Sequence, residues 1–378
     1  MQFIDLQRQY RKIEASVQKR ITAVLHHGNF ILGPEIQELE QNLARYVGAR
    51  YCVSCASGTD ALLLPLMAHN VGPGDAVITT PFTFVATAEV IALLGATPVF
   101  VDIDPVTYNM DPKKLAESIN DPQNGKAPFA KKNKALKLRG IIPVDIFGLP
   151  ADYDTINRIA KENGLFVIED AAQSFGGTYK GGKTCSLAHV AATSFFPAKP
   201  LGCYGDGGAI FTNDKPFLEI LGSLRVHGQG SNKYENVRIG INGRMDTMQA
   251  AVLLAKMELF NEEVELRQKV AARYSSLLKD RDVVVPTVPE GYSSAWAQYS
   301  IQSEKRNEIM ERLKNAGIPT AIYYPKPLHL QTAFSYLGYE KGSMPVSEMV
   351  AGRIFSVPMH PYLTEEEQIE IVEIIGNP

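Results

Sequence analysis

From Tyr51 to Asp170, short apolar runs alternate with stretches of helical periodicity, and this alternation constrains the fold most. Strands are expected at Tyr51–Ala56, Asp75–Thr80, Thr97–Asp102, Arg139–Asp145 and Leu165–Asp170. Helical segments lie between most of them. Strands that read as continuous apolar runs, each followed by a helix, are those of a mainly parallel sheet covered on both faces. The fold class is therefore α/β. Ahead of it, apolar positions 13, 17, 21, 24 and 25 mark one helix, and Pro34 opens a second that Gly48 closes. Behind it, a long helical stretch from Met248 to about Leu278 leads to a smaller α+β unit. That unit has strands expected at Ala297–Gln302 and Ile318–Tyr324, and helices at Lys305–Ala316 and Glu365–Ile375. The expected division is a large domain over 1–250 and a small one over 251–378, the connecting helix included. Asp121–Lys137, with five lysines and few apolar residues, reads as a surface loop or insertion.

Composition removes several classes of function. The 378 residues carry 38 Lys and Arg against 41 Asp and Glu, a formal charge of -3, so no basic excess points to nucleic acid. No apolar run reaches the length of a membrane span, and Met1–Tyr10 lacks the apolar core of a signal peptide. A cytoplasmic location is expected. Cys52, Cys55, Cys185 and Cys203 are too few for a disulfide framework in a chain this long. Cys52-Val-Ser-Cys55 has the spacing of half a zinc knuckle but no partner pair, so it reads as buried strand and no metal is expected.

Four local features carry possible chemistry. Ser57-Gly-Thr59 lies between a strand and a helix, where free N–H groups and hydroxyls can hold an anion. An ordinary N-cap would look the same. Asp170 ends an apolar strand, at the edge where open α/β sheets bind ligands, and Gln173 follows by one helical turn. Lys199 is a lone lysine between Ser194 and the glycines 202, 205, 207 and 208. Held out of water, its amine would be a nucleophile; otherwise it is a lysine at the tip of a turn. Phe82-Thr-Phe84 adds aromatic rings. One ligand satisfies all four: pyridoxal phosphate (PLP). Its phosphate suits a helix N-terminus, its aldehyde a lysine, its ring nitrogen a carboxylate and its ring face an aromatic side chain. A nicotinamide dehydrogenase would instead need Gly-x-Gly-x-x-Gly after the first strand, and Ser57-Gly-Thr-Asp60 is not that.

The chain also resembles the DegT/DnrJ/StrS-type sugar aminotransferases, which are fold-type-I PLP enzymes. The resemblance runs from Phe3-Ile-Asp-Leu to Met359-His-Pro-Tyr-Leu. It is carried by Ile31-Leu-Gly-Pro-Glu, Ala56-Ser-Gly-Thr-Asp-Ala-Leu, Pro81-Phe-Thr-Phe-Val-Ala-Thr-Ala, Ile168-Glu-Asp-Ala-Ala-Gln-Ser, Ser194-Phe-Phe-Pro-Ala-Lys199, Gly205-Asp-Gly-Gly-Ala and Asn242-Gly-Arg-Met-Asp. It implies that Lys199 is the Schiff-base lysine and proton shuttle, Asp170 pairs with the pyridinium nitrogen and Gln173 contacts the ring hydroxyl. It further implies that Gly58, Thr59 and Ser194 hold the phosphate, Phe84 stacks on the ring, and Asn242 reaches the cofactor of a second subunit in a homodimer. Arg244, Tyr323, Tyr324 and His329 are the implied substrate contacts. The implied reaction moves an amino group from glutamate, leaving 2-oxoglutarate, to a nucleotide-linked keto sugar. The wording of 193–208 is most similar to members acting on UDP-2-acetamido-2-deoxy-3-oxo-glucuronate in O-antigen synthesis. Those members tend to carry His-Tyr-Pro where this chain has Tyr323-Tyr324-Pro325, which leaves UDP-3-keto-GlcNAc and dTDP-3-keto-6-deoxy sugars open. A PLP-binding regulator without turnover is the alternative of a different class.

Overall fold

A computed structural model describes residues 1–120, 136–232 and 234–376. Its strands are β1 (Tyr51–Cys55), β2 (Asp75–Thr79), β3 (Thr97–Phe100), β4 (Lys137–Ile142), β5 (Phe166–Asp170), β6 (Thr178–Tyr179), β7 (Gly182–Lys183), β8 (Val190–Ser194), β9 (Gly208–Thr212), β10 (Tyr292–Ser293), β11 (Tyr299–Gln302) and β12 (Ile354–Val357). The central sheet has the order β1-β9-β8-β5-β4-β2-β3. Strands β8, β5, β4, β2 and β3 pair in parallel, and β9 runs antiparallel to both β8 and β1. The mainly parallel sheet read from the sequence is thus present. The carboxyl ends of β1, β2, β5 and β8 all reach one edge, which places Ser57, Thr80, Asp170 and Ser194 there. The Lys199 segment is the link between β8 and β9 at that edge.

The strands are apolar because helices cover both faces. On one side α2 (Pro34–Val47) packs Leu39 and Leu43 with Phe175, Phe195 and Phe211, and with Leu253 and Leu254 of a helix spanning Thr247–Met257. On the other, α3 (Gly58–Ala68) and α4 (Ala86–Leu93) pack with Val53, Val77, Ile142, Ile168 and Val190. Helix α1 (Leu6–His27) adds Ile13 and Val17 against Val252 and Ala255. A separate cluster holds Val270, Tyr274, Tyr299, Ile309, Phe355 and Ile371 around the β11–β12 pair.

Two expectations are corrected. The helical stretch from Met248 to Leu278 is two helices, Thr247–Met257 and Phe260–Leu277, because its two halves face different cores. Ile318–Tyr324 is not a strand. It makes one bridge, Ala321 to Ser356 of β12, since Gly317 is left-handed and Pro319 offers no N–H. Of the lysine-rich segment read as a surface loop, residues 121–135 lie outside the described residues, and Lys137 begins β4.

Leu39 is fully buried between sheet and helices. Leu39→Ala is expected to cost about 2–5 kcal/mol, and Leu39→Met less than about 1.5 kcal/mol, in denaturant unfolding. Equal effects would show that this layer is not tightly packed.

Candidate active site

The site begins where β1 turns into α3. Ser57 is extended and caps the helix, its Oγ accepting the Asp60 N–H at 3.0 Å. The N–H groups of Gly58 and Thr59 have no intrahelical partner and open the helix toward the sheet edge. Ser194, at the end of β8, lies directly against them: a Cβ on Gly58 would come within 2.6 Å of Ser194 Cβ. Gly208 makes room from the other side, since its Cβ would meet Ser57 O at 2.3 Å. Gly58, Thr59 and Ser194 therefore share one concave spot with free donors, suited to an anion.

Asp170 stands at the end of β5 and is only 4% exposed. Thr87 Oγ1 donates to its Oδ2 at 2.8 Å and the Ala172 N–H to its Oδ1 at 3.2 Å. Burial pushes its pKa upward; these two bonds and the charge of Lys199 pull against that. Lys199 keeps some exposure, yet the surrounding protein lowers its pKa to about 8, with Asp170 opposing the shift. No described residue forms an ion pair with its ammonium. The backbone around it is tight. The Lys199 N–H bonds Phe196 O at 2.8 Å, and a Cβ on Gly202 would strike Pro197 O at 2.5 Å. Cys203, which had no evident role in the sequence, donates its thiol to Phe195 O (3.0 Å) and Gly205 O (3.1 Å), closing this loop.

Gln173 is buried beside Asp170. Its Oε1 accepts the Phe147 N–H at 2.7 Å, and its Nε2 donates to Tyr324 Oη at 3.3 Å. Phe84 is half-exposed, with its ring 6.5 Å from that of Tyr324. Tyr323 and Tyr324, joined by a cis peptide, thus belong to the same cluster. Asn242 and Arg244 flank Gly243, whose carbonyl accepts the Ala56 N–H at 2.9 Å, so they adjoin the strand end that leads into the cradle. Asn242 is exposed, and Arg244 has a buried Nε without an acceptor among the described residues. His329 does not join them. Its side chain is fully buried, and its Nε2 faces Glu348 Oε1 at 3.0 Å.

Three participants escaped the sequence reading. Thr87 holds Asp170, and its spacing from Thr83 (3.1 Å between hydroxyls) was a readable one-turn signal. The Phe147 donor is a backbone group in a left-handed conformation (φ 58), and no residue type announces it. Asp145, buried behind Gln173, was read only as the end of a strand.

A depressed lysine, a buried carboxylate, an amide and a cradle of free N–H groups at one sheet edge fit PLP. The Gly58–Ser194 contact, where a Cβ would fill the cradle, and an ammonium without an ion-pair partner are the features that carry the fit. Fold and site define a PLP-dependent aminotransferase. The chain belongs to the DegT/DnrJ/EryC1/StrS aminotransferase family, whose model matches residues 11–376. It is 50% identical over 363 residues to the UDP-2-acetamido-2-deoxy-3-oxo-D-glucuronate aminotransferase of Pseudomonas aeruginosa, covering 96% of each chain. A DegT DnrJ EryC1 StrS aminotransferase from Brucella abortus superposes with a TM-score of 0.93 at 51% identity, covering 99% of this chain and 98% of that one. NtdA from Bacillus subtilis, solved with bound cofactor PMP, superposes at 0.84 with 28% identity, covering 99% and 83%. PLP is the cofactor, and the enzyme is a sugar aminotransferase.

A lysine with a pKa near 8 is protonated and unreactive below that pH and a free amine above it. Capture of PLP by the cofactor-free protein, followed by absorbance, is expected to accelerate with pH and level off near 8. A rate still rising toward the ordinary lysine value of about 10.4 would contradict the burial of Lys199.

Proposed function

We propose that the protein aminates UDP-2-acetamido-2-deoxy-3-oxo-glucuronate at C3, taking the amino group from glutamate and releasing 2-oxoglutarate. The observation that carries this substrate is the 50% identity, over 96% of both chains, to the enzyme of that name. The setting is the cytoplasmic synthesis of O-antigen or another surface polysaccharide.

When bound, PLP supplies an aldehyde that reacts with amines and a protonated ring that accepts an electron pair. The residues of this chain do the rest. Lys199 Nζ would hold the cofactor and, as a free amine, would take and return the proton at the donor's Cα. A pKa near 8 suits both tasks at neutral pH. Asp170, whose charged form Thr87, the Ala172 N–H and Lys199 favour against burial, would hold the proton on the ring nitrogen. Gln173 would offer its amide to the ring hydroxyl, Phe84 would cover the ring, and Gly58, Thr59 and Ser194 would bind the phosphate. Arg244, with its unspent guanidinium donors, is suited to a sugar carboxylate or a diphosphate. Tyr323 and Tyr324 border the sugar, while His329 is paired with Glu348, which also accepts the Gly342 and Met344 N–H groups.

The active unit is a homodimer in which Asn242 reaches the cofactor of the second subunit. Support comes from a row of exposed apolar side chains, Phe30, Ile31 and Leu32, near Asn242. Thr247 N–H donates to Phe30 O at 2.9 Å, and Ile31 bridges Asp246, so this row is tied to the segment carrying Asn242 and Arg244.

With glutamate and a panel of nucleotide-linked keto sugars, turnover is expected to be fastest on the 3-keto uronate. Faster amination of UDP-3-keto-GlcNAc or a dTDP-3-keto-6-deoxyhexose would reassign the substrate, and no turnover on any would favour a regulator. Asp170→Asn should retain PLP but lose about 10²-fold or more in transamination rate. Wild-type rates in that variant would contradict the role given to Asp170.

A further inference from the structure

Behind Gln173 lies a fully buried carboxylate, Asp145, that makes no contact with the cofactor cradle. It sits at the end of the β4 segment, where its N–H donates to Asp170 O at 3.0 Å. Its side chain accepts three hydrogen bonds. Oδ1 accepts the Ala151 N–H at 2.9 Å and the Tyr153 hydroxyl at 2.8 Å, and Oδ2 accepts the Ser174 hydroxyl at 2.6 Å. Two of these bonds bear on Gln173. Ser174 is its chain neighbour. Ala151 closes the short loop that carries Phe147, whose N–H donates to Gln173 Oε1 at 2.7 Å. That loop holds a left-handed, non-glycine residue (Phe147, φ 58, ψ 7), a conformation that costs energy and persists only where the surroundings impose it. The Asp145 carboxylate and the Gly148 N–H to Asp145 O bond at 3.3 Å are part of that surrounding, with Asn109, which accepts the Ile146 N–H and donates to Leu149 O and Pro150 O, and the Ala297 N–H, which donates to Phe147 O at 3.1 Å.

We infer that Asp145 is a positioning residue for the reaction: by holding Ser174 and the Phe147 loop, it fixes the Gln173 amide so that only its NH2 side is left for the cofactor's ring oxygen. With Oε1 spent on Phe147, a half-turn of the amide would leave the Phe147 N–H facing an NH2 group, and a buried donor would be unpaired. The fixed amide gives the ring oxygen a hydrogen-bond donor, which favours its anionic form. Burial raises the pKa of Asp145 to about 7, with Asp170 adding to the shift, and the three donors oppose it. The inference rests on the placement of Gln173 against the ring.

The test is a double-mutant cycle read on the holoenzyme without substrate. Two quantities are followed: PLP dissociation by equilibrium dialysis, and the pH midpoint of the bound cofactor's absorbance change. Gln173→Ala is expected to weaken PLP binding about tenfold and move the midpoint upward, as the loss of one hydrogen bond to a charged group would. Ser174→Ala and Asp145→Asn should move both readouts the same way, and neither should add to the effect of Gln173→Ala when combined with it. Asp145→Glu, which keeps the charge but not the reach, should not restore the midpoint. Ser174→Ala deletes a single bond, so it keeps the test valid if Asp145 variants do not fold. If Gln173→Ala shifts the readouts while Ser174→Ala and Asp145→Asn leave them unchanged, or if the effects simply add, the inference is overturned and the PLP assignment stands. If Gln173→Ala shifts neither, the placement of Gln173 is wrong and the inference falls with it.

Discussion

The placement of Asp170 is the constraint on which the site depends. A carboxylate 4% exposed at the end of a parallel strand is costly unless donors and a cation meet it. Here the donors are Thr87 from α4 and the Ala172 N–H from its own turn, and the cation in electrostatic reach is Lys199 from the β8–β9 link. The same burial acts oppositely on the two groups, pushing the acid up and the amine down to about 8. Each partly offsets the other. The result is a carboxyl and an amine whose ionisation each depends on the other, a coupling neither group would have alone in water.

That arrangement needs backbone to approach backbone. Gly58 lies so close to Ser194, and Gly208 to Ser57, that a single Cβ would close the cradle. The antiparallel strand β9 matters for this reason. It lies between β1 and β8 in the sheet, so it brings the helix that starts after β1 beside the end of β8. Cys203 adds a sulfur–carbonyl tie that keeps the Lys199 loop folded back on β8. Behind Gln173, Asp145 accepts bonds from the neighbouring Ser174 hydroxyl and the Ala151 N–H, whereas Thr87 bonds Asp170 directly.

Much of this was legible in the sequence because it depends on residue type at a strand end. Asp170, Gln173, Ser57-Gly-Thr59, Ser194 and Lys199 come together at one sheet edge, and the strands that carry them appear where the apolar runs placed them. What was not legible depends on backbone or on tertiary choice. The Phe147 donor is an N–H in a left-handed turn, with no side-chain signature. The break after Met257 has no Pro or Gly; it comes from the need to face two cores. Ile318–Tyr324 has strand-like residues, but it makes a single bridge to β12, with a left-handed Gly317 and Pro319 at its start. His329 illustrates the converse: its residue type suits a substrate contact, while its ring is fully buried against Glu348.

We assign Lys199 as the amine to which the cofactor is joined, made reactive by its surroundings. Borohydride reduction of the holoenzyme followed by peptide mass mapping tests this most directly. One pyridoxyl group per chain, fixed on the peptide containing Lys199 and lost in Lys199→Ala, is the predicted result. A label on another lysine, such as the buried Lys256, or no fixed cofactor at all, would contradict it.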